Sequence, residues 1–413
     1  MDAATATDAE RRLAAELTRA GGPDGFPALP DVPLGRYTDA DFARLEVEEV
    51  FGRSWLLVGH GSEIPDAGSY RVIDLPGGSV VVVRGSDGVV RAVRNACRHR
   101  GAPVVRDGAG CARRLTCQFH SWSYDLTGGL VAVPCESDFV GLDRSERSLA
   151  AVRLEEWNGL LFVNLDPAAP DLAAELAPIS RRFDAFMGHR LRLVERRRYD
   201  LGCNWKVVME AFLEVYHLRT VHPETASQFA HSSSPLLVAH PGGHGTMYMA
   251  YTDEVLEAEE GSLVRDVMFP SDLPSPEGMP SIFDTTNVLL SLFPNVVSPL
   301  NPQGFPVVQA WPKGIDRTDF EVSWYGPDWG DGDRPAGWDT KFGAWDIVLE
   351  EDFSNLEPIQ RSLEAAAHGG VPLGAQERLI WHLHAELDRR IGPDSVPAGL
   401  AVAAQLLDEL IEA

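Results

Sequence analysis

Cys97-Arg98-His99-Arg100-Gly101, followed further along by Cys117-Gln118-Phe119-His120-Ser121-Trp122, is the stretch on which the reading of this chain turns. The pattern is C-x-H, seventeen residues, then C-x-x-H. Each half offers one thiolate and one imidazole from a short loop. Two cysteines can hold one iron of a 2Fe-2S cluster and two histidines the other; neutral imidazoles make such a cluster less anionic and raise its potential. Structural zinc also takes two Cys and two His, but its usual order places both cysteines first.

Around these loops the chain reads as short β-type runs: Trp55–Gly59, Ser69–Leu75, Ser79–Arg84, Val89–Asn95, Leu115–Phe119, Ser121–Leu126 and Trp157–Leu165, punctuated by Gly, Pro and Asp-Gly. They predict an all-β domain over 55–166. Before it, 1–36 reads as an N-terminal arm with a short helix, Ala9–Arg19, and 37–54 as a helix packing on the second domain. After it, 167–413 mixes helices (Leu172–His189, Val207–Thr220, Trp338 to His368, Gln376 to Ile391) with strands (Gly245–Thr252, Thr286–Leu292, Val307–Ala310, Asp319–Tyr325). The fold class expected is α+β, with a helix over an antiparallel sheet in the second domain.

That second domain carries another constellation: Asn204-Trp205-Lys206, then Glu210, Glu214, Tyr216, His217, His222 and Pro223. Glu210, Glu214 and His217 are spaced four and three apart, so a continuous helix puts them on one face. His222 is five residues on, and the helix should unwind before Pro223. Two imidazoles and one carboxylate on one side of Fe(II) leave positions open for dioxygen and substrate. The carboxylate must come from elsewhere in the chain, and Glu350-Glu351-Asp352 is the acidic cluster that offers one. On a helix, Asp352 falls within the apolar stripe Trp345, Val348, Leu349, Leu356, Ile359 and Leu363, while Glu350 and Glu351 point away. A lone carboxylate on an apolar face is costly unless paired or metal-bound, which favours Asp352, with Glu351 the alternative. Taken alone, the two histidines also fit one surface residue and one satisfied core residue.

The two segments together resemble the large (alpha) subunits of Rieske non-haem iron oxygenases, the aromatic ring-hydroxylating family. The likeness runs from about Thr38 to Ile391 and rests on the two Cys/His loops, on Ser123-Tyr124-Asp125 and Gly128-Gly129-Leu130, and on the Asn204 to Pro223 run. It implies a Rieske 2Fe-2S domain and a START-like catalytic domain. Cys97, His99, Cys117 and His120 would hold the cluster; His217, His222 and Asp352 would hold mononuclear Fe(II); and Asn204, Glu214 and Tyr216 would serve the site around it. Three positions depart from the family pattern: Ser121 where Gly is usual, Ala211 where Asn is common, and Glu214 where Asp is frequent. Ala102 and Phe119 stand where respiratory Rieske proteins carry a disulfide. The resemblance further implies head-to-tail trimers. In them His120 of one subunit would hydrogen-bond Glu214 of the next, which holds that subunit's own His217. No nucleotide fingerprint is apparent, so electrons from NAD(P)H should arrive through a separate reductase, with or without a ferredoxin. An accessory beta subunit is compatible with this. The implied reaction is insertion of oxygen from O2 into a small organic substrate by hydroxylation, dihydroxylation or oxidative demethylation. Met209, Leu213, Leu290, Leu292 and Phe293, with Met247 and Met249, are the apolar residues expected at the substrate.

The charge balance narrows the partners. The chain has 413 residues, 36 Lys+Arg against 61 Asp+Glu, and a net charge of −25. That surface repels nucleic acid and anionic membranes, and no apolar run is long enough to span a bilayer. The opening Met-Asp-Ala-Ala has no signal-peptide pattern, and five cysteines is an odd count; a reducing, cytoplasmic location is expected. Cys111 and Cys135 match no ligand position. Against the acidic background, Arg91, Arg94, Arg98, Arg100, Arg106, Arg113 and Arg114 form a basic collar near the cluster loops, suited to an acidic electron donor. Two other functions share the first motif: an electron carrier, and a redox-sensing ligand-binding protein. Iron content separates the carrier from an oxygenase, two atoms per chain against three.

Overall fold

The computed structural model describes residues 1–19, 25–106, 108–183, 186, 191–260, 262–366 and 369–412. The chain divides into two compact units, Val47–Ala174 and a larger one formed by Met1–Glu46 with Glu175–Ala413.

The smaller unit is all-β in its sheets. Among the described residues, seven antiparallel strands follow the order Leu56–His60, Leu160–Asn164, Ala151–Trp157, Val90–Arg94, Gly78–Arg84, Ser69–Leu75 and Ala109–Cys111. Val80–Val83 is buried at every position, as expected of a strand covered on both faces. A second, three-stranded sheet joins Leu115–Thr116, Ser123–Tyr124 and Leu130–Ala132. Val81, Val93, Leu115, Trp122, Tyr124 and Leu130 pack into one core that also takes in Cys97 and Cys117. The metal-type loops therefore rise from a rigid base.

The larger unit is built on a second seven-stranded antiparallel sheet. Its order is Leu191–Leu201, Thr318–Pro327, Phe305–Pro312, Val296–Leu300, Thr286–Leu292, His244–Ala250 and Leu236–His240. Four helices matter for the site and its support: Ala3–Thr18, Trp205–Phe212, the long helix Gly337–Glu364, and Arg378–Ile391. Trp205–Phe212 packs on the strand Phe305–Pro312 and against the long helix.

Several expectations change. The stretch read as an arm is tied into this unit. Asp2 caps its helix by accepting from Thr5 N at 2.7 Å, Ala6, Ala9 and Leu13 are buried, Val32 pairs with Val371, and Arg36 makes a buried salt bridge to Asp388 at 2.6 Å. Residues 20–24 of that stretch lie outside the described residues, as do 184, 185 and 187–189 of the expected helix Leu172–His189 and the last two of Trp338 to His368. The helix expected over Val207–Thr220 stops at Phe212 and resumes only as Leu218–Val221. In this unit three strands have no counterpart among the expectations, Leu191–Leu201, Leu236–His240 and Val296–Leu300; in the smaller unit Ala109–Cys111 and Leu130–Ala132 have none, and Ala151–Trp157 shares only its last residue with an expected run. Leu191–Leu201 hid behind its charges. It is an edge strand whose arginines pair with Glu321 and Asp328, a composition that also blocks edge-to-edge association.

Candidate metal centres and the cavity beside them

The two Cys/His loops close in the same way. Cys97 N donates to Ala102 O and Gly101 N to Cys97 O; Cys117 N donates to Trp122 O and Ser121 N to Cys117 O, all at 2.8–2.9 Å. The fifth residue of each loop has positive φ, +78° at Gly101 and 60° at Ser121. This is why glycine is favoured there. The loops bring the His99 and His120 rings to 4.6 Å between centroids. Trp122 stacks on His99 at 4.9 Å and 9°. Cys97 and Cys117 are free and buried, and His120 is exposed.

These residues fit a cluster on two observations. His99 Nδ1 is buried with no hydrogen-bond partner among the described residues, and an orphaned buried ring nitrogen is costly unless something else engages it. Tyr124 OH lies 3.2 Å from Cys97 Sγ and accepts from Arg98 N at 2.9 Å. Burial and its bond to Cys97 push the Tyr124 pKa up, so the hydroxyl stays protonated and can donate to a thiolate sulfur.

In the larger unit the helix break does the positioning. Beyond Phe212 the backbone leaves the helix at Leu213, so Glu214 and His217 do not share a helical face with Glu210. Glu214 instead folds back on its own turn. It accepts from the backbone N–H groups of Tyr216 and His217 and from His217 Nδ1. His222 Nδ1 donates to Glu351 Oε2 at 2.7 Å, and Thr225 Oγ1 donates to the same oxygen at 2.6 Å. Both histidines thus spend Nδ1 on a carboxylate and turn Nε2 towards Asp352. Asp352 Oδ1 is 2.9 Å from His222 Nε2 and 3.6 Å from His217 Nε2. One ligand atom each from His217, His222 and Asp352 falls within 4.8 Å of the others. This is the arrangement by which outer carboxylates fix the tautomer and aim of metal-binding imidazoles, and the donor set fits Fe(II). Burial opposes charge on His222, but Asp352 and Glu351 outweigh it and raise its pKa.

Glu351 does not point away, as its helical position suggested. Asp352 and Glu351 are about 100° apart on the long helix, and the His222 ring sits between them with one nitrogen on each. No pattern in the sequence separates that role from an exposed helix glutamate. Glu210 lies elsewhere, bonded to Tyr37 OH at 2.8 Å and His384 Nε2 at 2.9 Å. Asn204 is buried and caps the helix Trp205–Phe212. Its side chain accepts from Lys206 N at 3.0 Å and donates to Ile315 O at 2.6 Å. Tyr216 is 71% exposed. On the expected apolar stripe, Leu349, Leu356 and Leu363 are buried, but Ile359 is exposed.

A cavity of about 850 Å³ opens beside the triad. Phe212, Met247, Met249, Leu289, Trp324 and Trp345 form much of its wall. Met247 and Met249 were expected there. Met209, Leu213, Leu292 and Phe293 were too, but they surround a separate void of about 10 Å³. Leu290 lines neither, because strand alternation gives the cavity its neighbour Leu289.

The architecture and these centres define a protein that pairs a cluster-type β domain with a helix-over-sheet domain carrying a two-histidine, one-carboxylate triad. Residues 54–152 match the family described as Rieske [2Fe-2S] domain, and residues 188–393 the family described as Ring hydroxylating alpha subunit (catalytic domain). Benzene 1,2-dioxygenase subunit alpha of Pseudomonas putida is 33% identical over 311 residues, 67% of this chain and 68% of that one. Chlorobenzene dioxygenase subunit alpha of Cupriavidus sp. (strain PS12) is 40% identical over 208 residues, 47% of this chain. The match spans only 45% of that relative's length. A solved quaternary ammonium Rieske monooxygenase has the same fold, with a TM-score of 0.73 at 21% identity over 90% of this chain and 99% of that one. The chain belongs to the Rieske non-haem iron oxygenase alpha-subunit family.

Among the described residues no helix is long and apolar enough to cross a membrane.

Proposed function

We propose that this chain is the oxygenase component of a multicomponent system and inserts oxygen from O2 into an apolar or aromatic small molecule. The observation that carries the reading is the convergence of His217, His222 and Asp352 at the wall of a large apolar cavity. Fe(II) bound there would supply positions for dioxygen, and a 2Fe-2S cluster on Cys97, His99, Cys117 and His120 would supply electrons one at a time.

The chain's own residues set the conditions. Glu214 and Glu351 hold the two rings by Nδ1, which leaves Nε2 of each as the nitrogen that would bind the metal. The aromatic and methionine walls offer an apolar surface suited to a planar body. Asn204 serves by capping the helix that leads into the site. Electrons are proposed to pass between subunits of a trimer, from His120 of one to Glu214 and His217 of the next. The exposure of His120, Phe119 and Tyr216 supports such docking. A reductase, with or without a ferredoxin, would dock at the basic collar. Arg98, Arg106, Arg113 and Arg114 are exposed and suited to this, whereas Arg91 is spent on Asp87 at 2.7 Å and Arg100 lies over the Phe119 ring. An accessory beta subunit is compatible with this assembly. Five unpaired cysteines, two of them needed as thiolates, fit a reducing cytoplasm.

The test is incubation of the chain with a reductase, substrate panels and labelled dioxygen, with iron counted per chain. Wild type should hold three irons and give labelled product. His217→Ala should hold two, keep the visible spectrum of the cluster and make no product. Two irons in the wild type, or normal turnover by the variant, refutes the reading.

A further inference from the structure

Lys341 stands in the first turns of the long helix and lines the cavity. It is 5% exposed. Its only hydrogen bond among the described residues runs from Nζ to Met268 O, at a long 3.4 Å. No carboxylate pairs with it among them. Of the other acidic residues in the cavity wall, Asp339 is committed to Arg334 at 2.6 Å, Glu214 and Asp352 are engaged with the histidines, and among the described residues Glu224 and Glu254 form no ion pair with Lys341. The contrast with the other fully buried lysine is plain: Lys206 sits on both oxygens of Glu46 at 2.7 and 2.9 Å. Burial alone, with no opposing charge to offset it, pulls Lys341 down to about 7.

An ammonium taken out of water without a counter-charge is expensive. Two of its three N–H donors have no acceptor among the described residues. Its position on the helix relates it to the triad. Lys341 and Asp352 are eleven residues apart, which is three turns plus about 20°, so they share one face with roughly 16 Å between their Cα atoms. Ala344, Trp345 and Val348 lie between them on that face and also line the cavity. The cavity therefore follows three turns of helix, with the metal-type triad at one end and an unpaired ammonium at the other.

We propose that Lys341 anchors a carboxylate of the substrate, so that the cavity selects apolar or aromatic acids whose acid group lies at the end of the molecule away from the reacting carbon. The inference rests on the oxygenase reading only for which end of the substrate reacts. The bound anion supplies the partner that the fold withholds, and the apolar wall takes the intervening body. Neutral hydrocarbons of the same shape would leave the ammonium unpaired and bind more weakly.

The experiment measures binding without turnover, by calorimetry on the iron-loaded, oxidised chain under nitrogen. The probes are 6-phenylhexanoate and the neutral 6-phenylhexan-1-ol. Wild type should bind the acid at least tenfold tighter than the alcohol. Lys341→Met keeps the length and apolar stem of the side chain while removing an unpaired buried charge, and should fold. It should lose that preference by weakening the acid tenfold or more and leaving the alcohol within twofold. Equal binding of the two probes to wild type, undiminished acid preference in Lys341→Met, or no binding of either probe overturns the proposal. Turnover with labelled dioxygen then separates the two readings. Labelled product without acid preference removes only the anchor, and acid preference without product removes only the oxygenase.

Discussion

At the scale of single residues, Tyr124 shows how a buried hydroxyl can tune a cluster. Its O–H, held protonated, lies 3.2 Å from Cys97 Sγ, while its oxygen is fixed by Arg98 N. A donor at a cluster sulfur stabilises the more negative, reduced state. Tyr124→Phe should therefore lower the midpoint potential of the cluster, read by redox titration of the visible spectrum, with the cluster still bound. An unchanged or raised potential would show that the hydroxyl does not act on the sulfur. The same scale explains Glu351. As a residue it looks like any acidic side chain on a helix, yet it fixes the tautomer of His222 from behind.

At the scale of elements, the cluster loops and the broken helix stand out. Gly101 and Ser121 occupy the same place in two equivalent loops, both at positive φ. Serine carries a steric penalty there of roughly 1 kcal/mol that glycine avoids. Ser121→Gly should raise the thermal midpoint of the cluster-loaded chain slightly, by up to about 1 kcal/mol in stability. Destabilisation by the substitution would mean that the hydroxyl makes a bond that matters more than the backbone angle. The helix Trp205–Phe212 ends early, and this is what frees Glu214 to turn back on His217. Helical periodicity put Glu210, Glu214 and His217 on one stripe because local spacing carries no sign of where a helix stops. Runs such as Ser69–Leu75 and Thr286–Leu292 were legible in the sequence; the short strands Leu236–His240 and Val296–Leu300 were not, and the arginine-rich edge strand Leu191–Leu201 was masked by charges that pair with its neighbour.

At the scale of the larger unit, buried charge networks tie the N-terminal segment to the C-terminal helix. Arg36 donates to His384 Nδ1 at 2.9 Å and to Asp388, while His384 Nε2 and Tyr37 OH both reach Glu210 Oε1. Burial pushes Glu210 up to about 8 against the pull of Tyr37 and Lys206. The folded chain keeps a proton there that the unfolded chain releases above its ordinary value near 4.5. Stability from this group is thus fully present at low pH and lost as pH rises from about 4.5 to about 8, at no more than roughly 1.4 kcal/mol per pH unit. Glu210→Gln should flatten that part of the pH profile of the urea midpoint. A profile parallel to wild type would place the titration elsewhere.

The sequence by itself determined the chemistry. C-x-H and C-x-x-H, the two histidines five residues apart, and the β texture around the first motif are local patterns, and ligand type and spacing are set by the covalent chain. Only the tertiary structure decided which carboxylate does what. Asp352 meets His222 across 130 positions of sequence and Glu351 takes its other nitrogen. Met209 and Phe293 lie outside the large cavity beside the triad, and Lys341 lines it with no counter-charge among the described residues. The reason is that burial and pairing are properties of what comes to lie beside a group. Those neighbours arrive from distant segments, so a lysine or glutamate reads the same in the chain whether it ends in water, on a partner, or alone against a substrate.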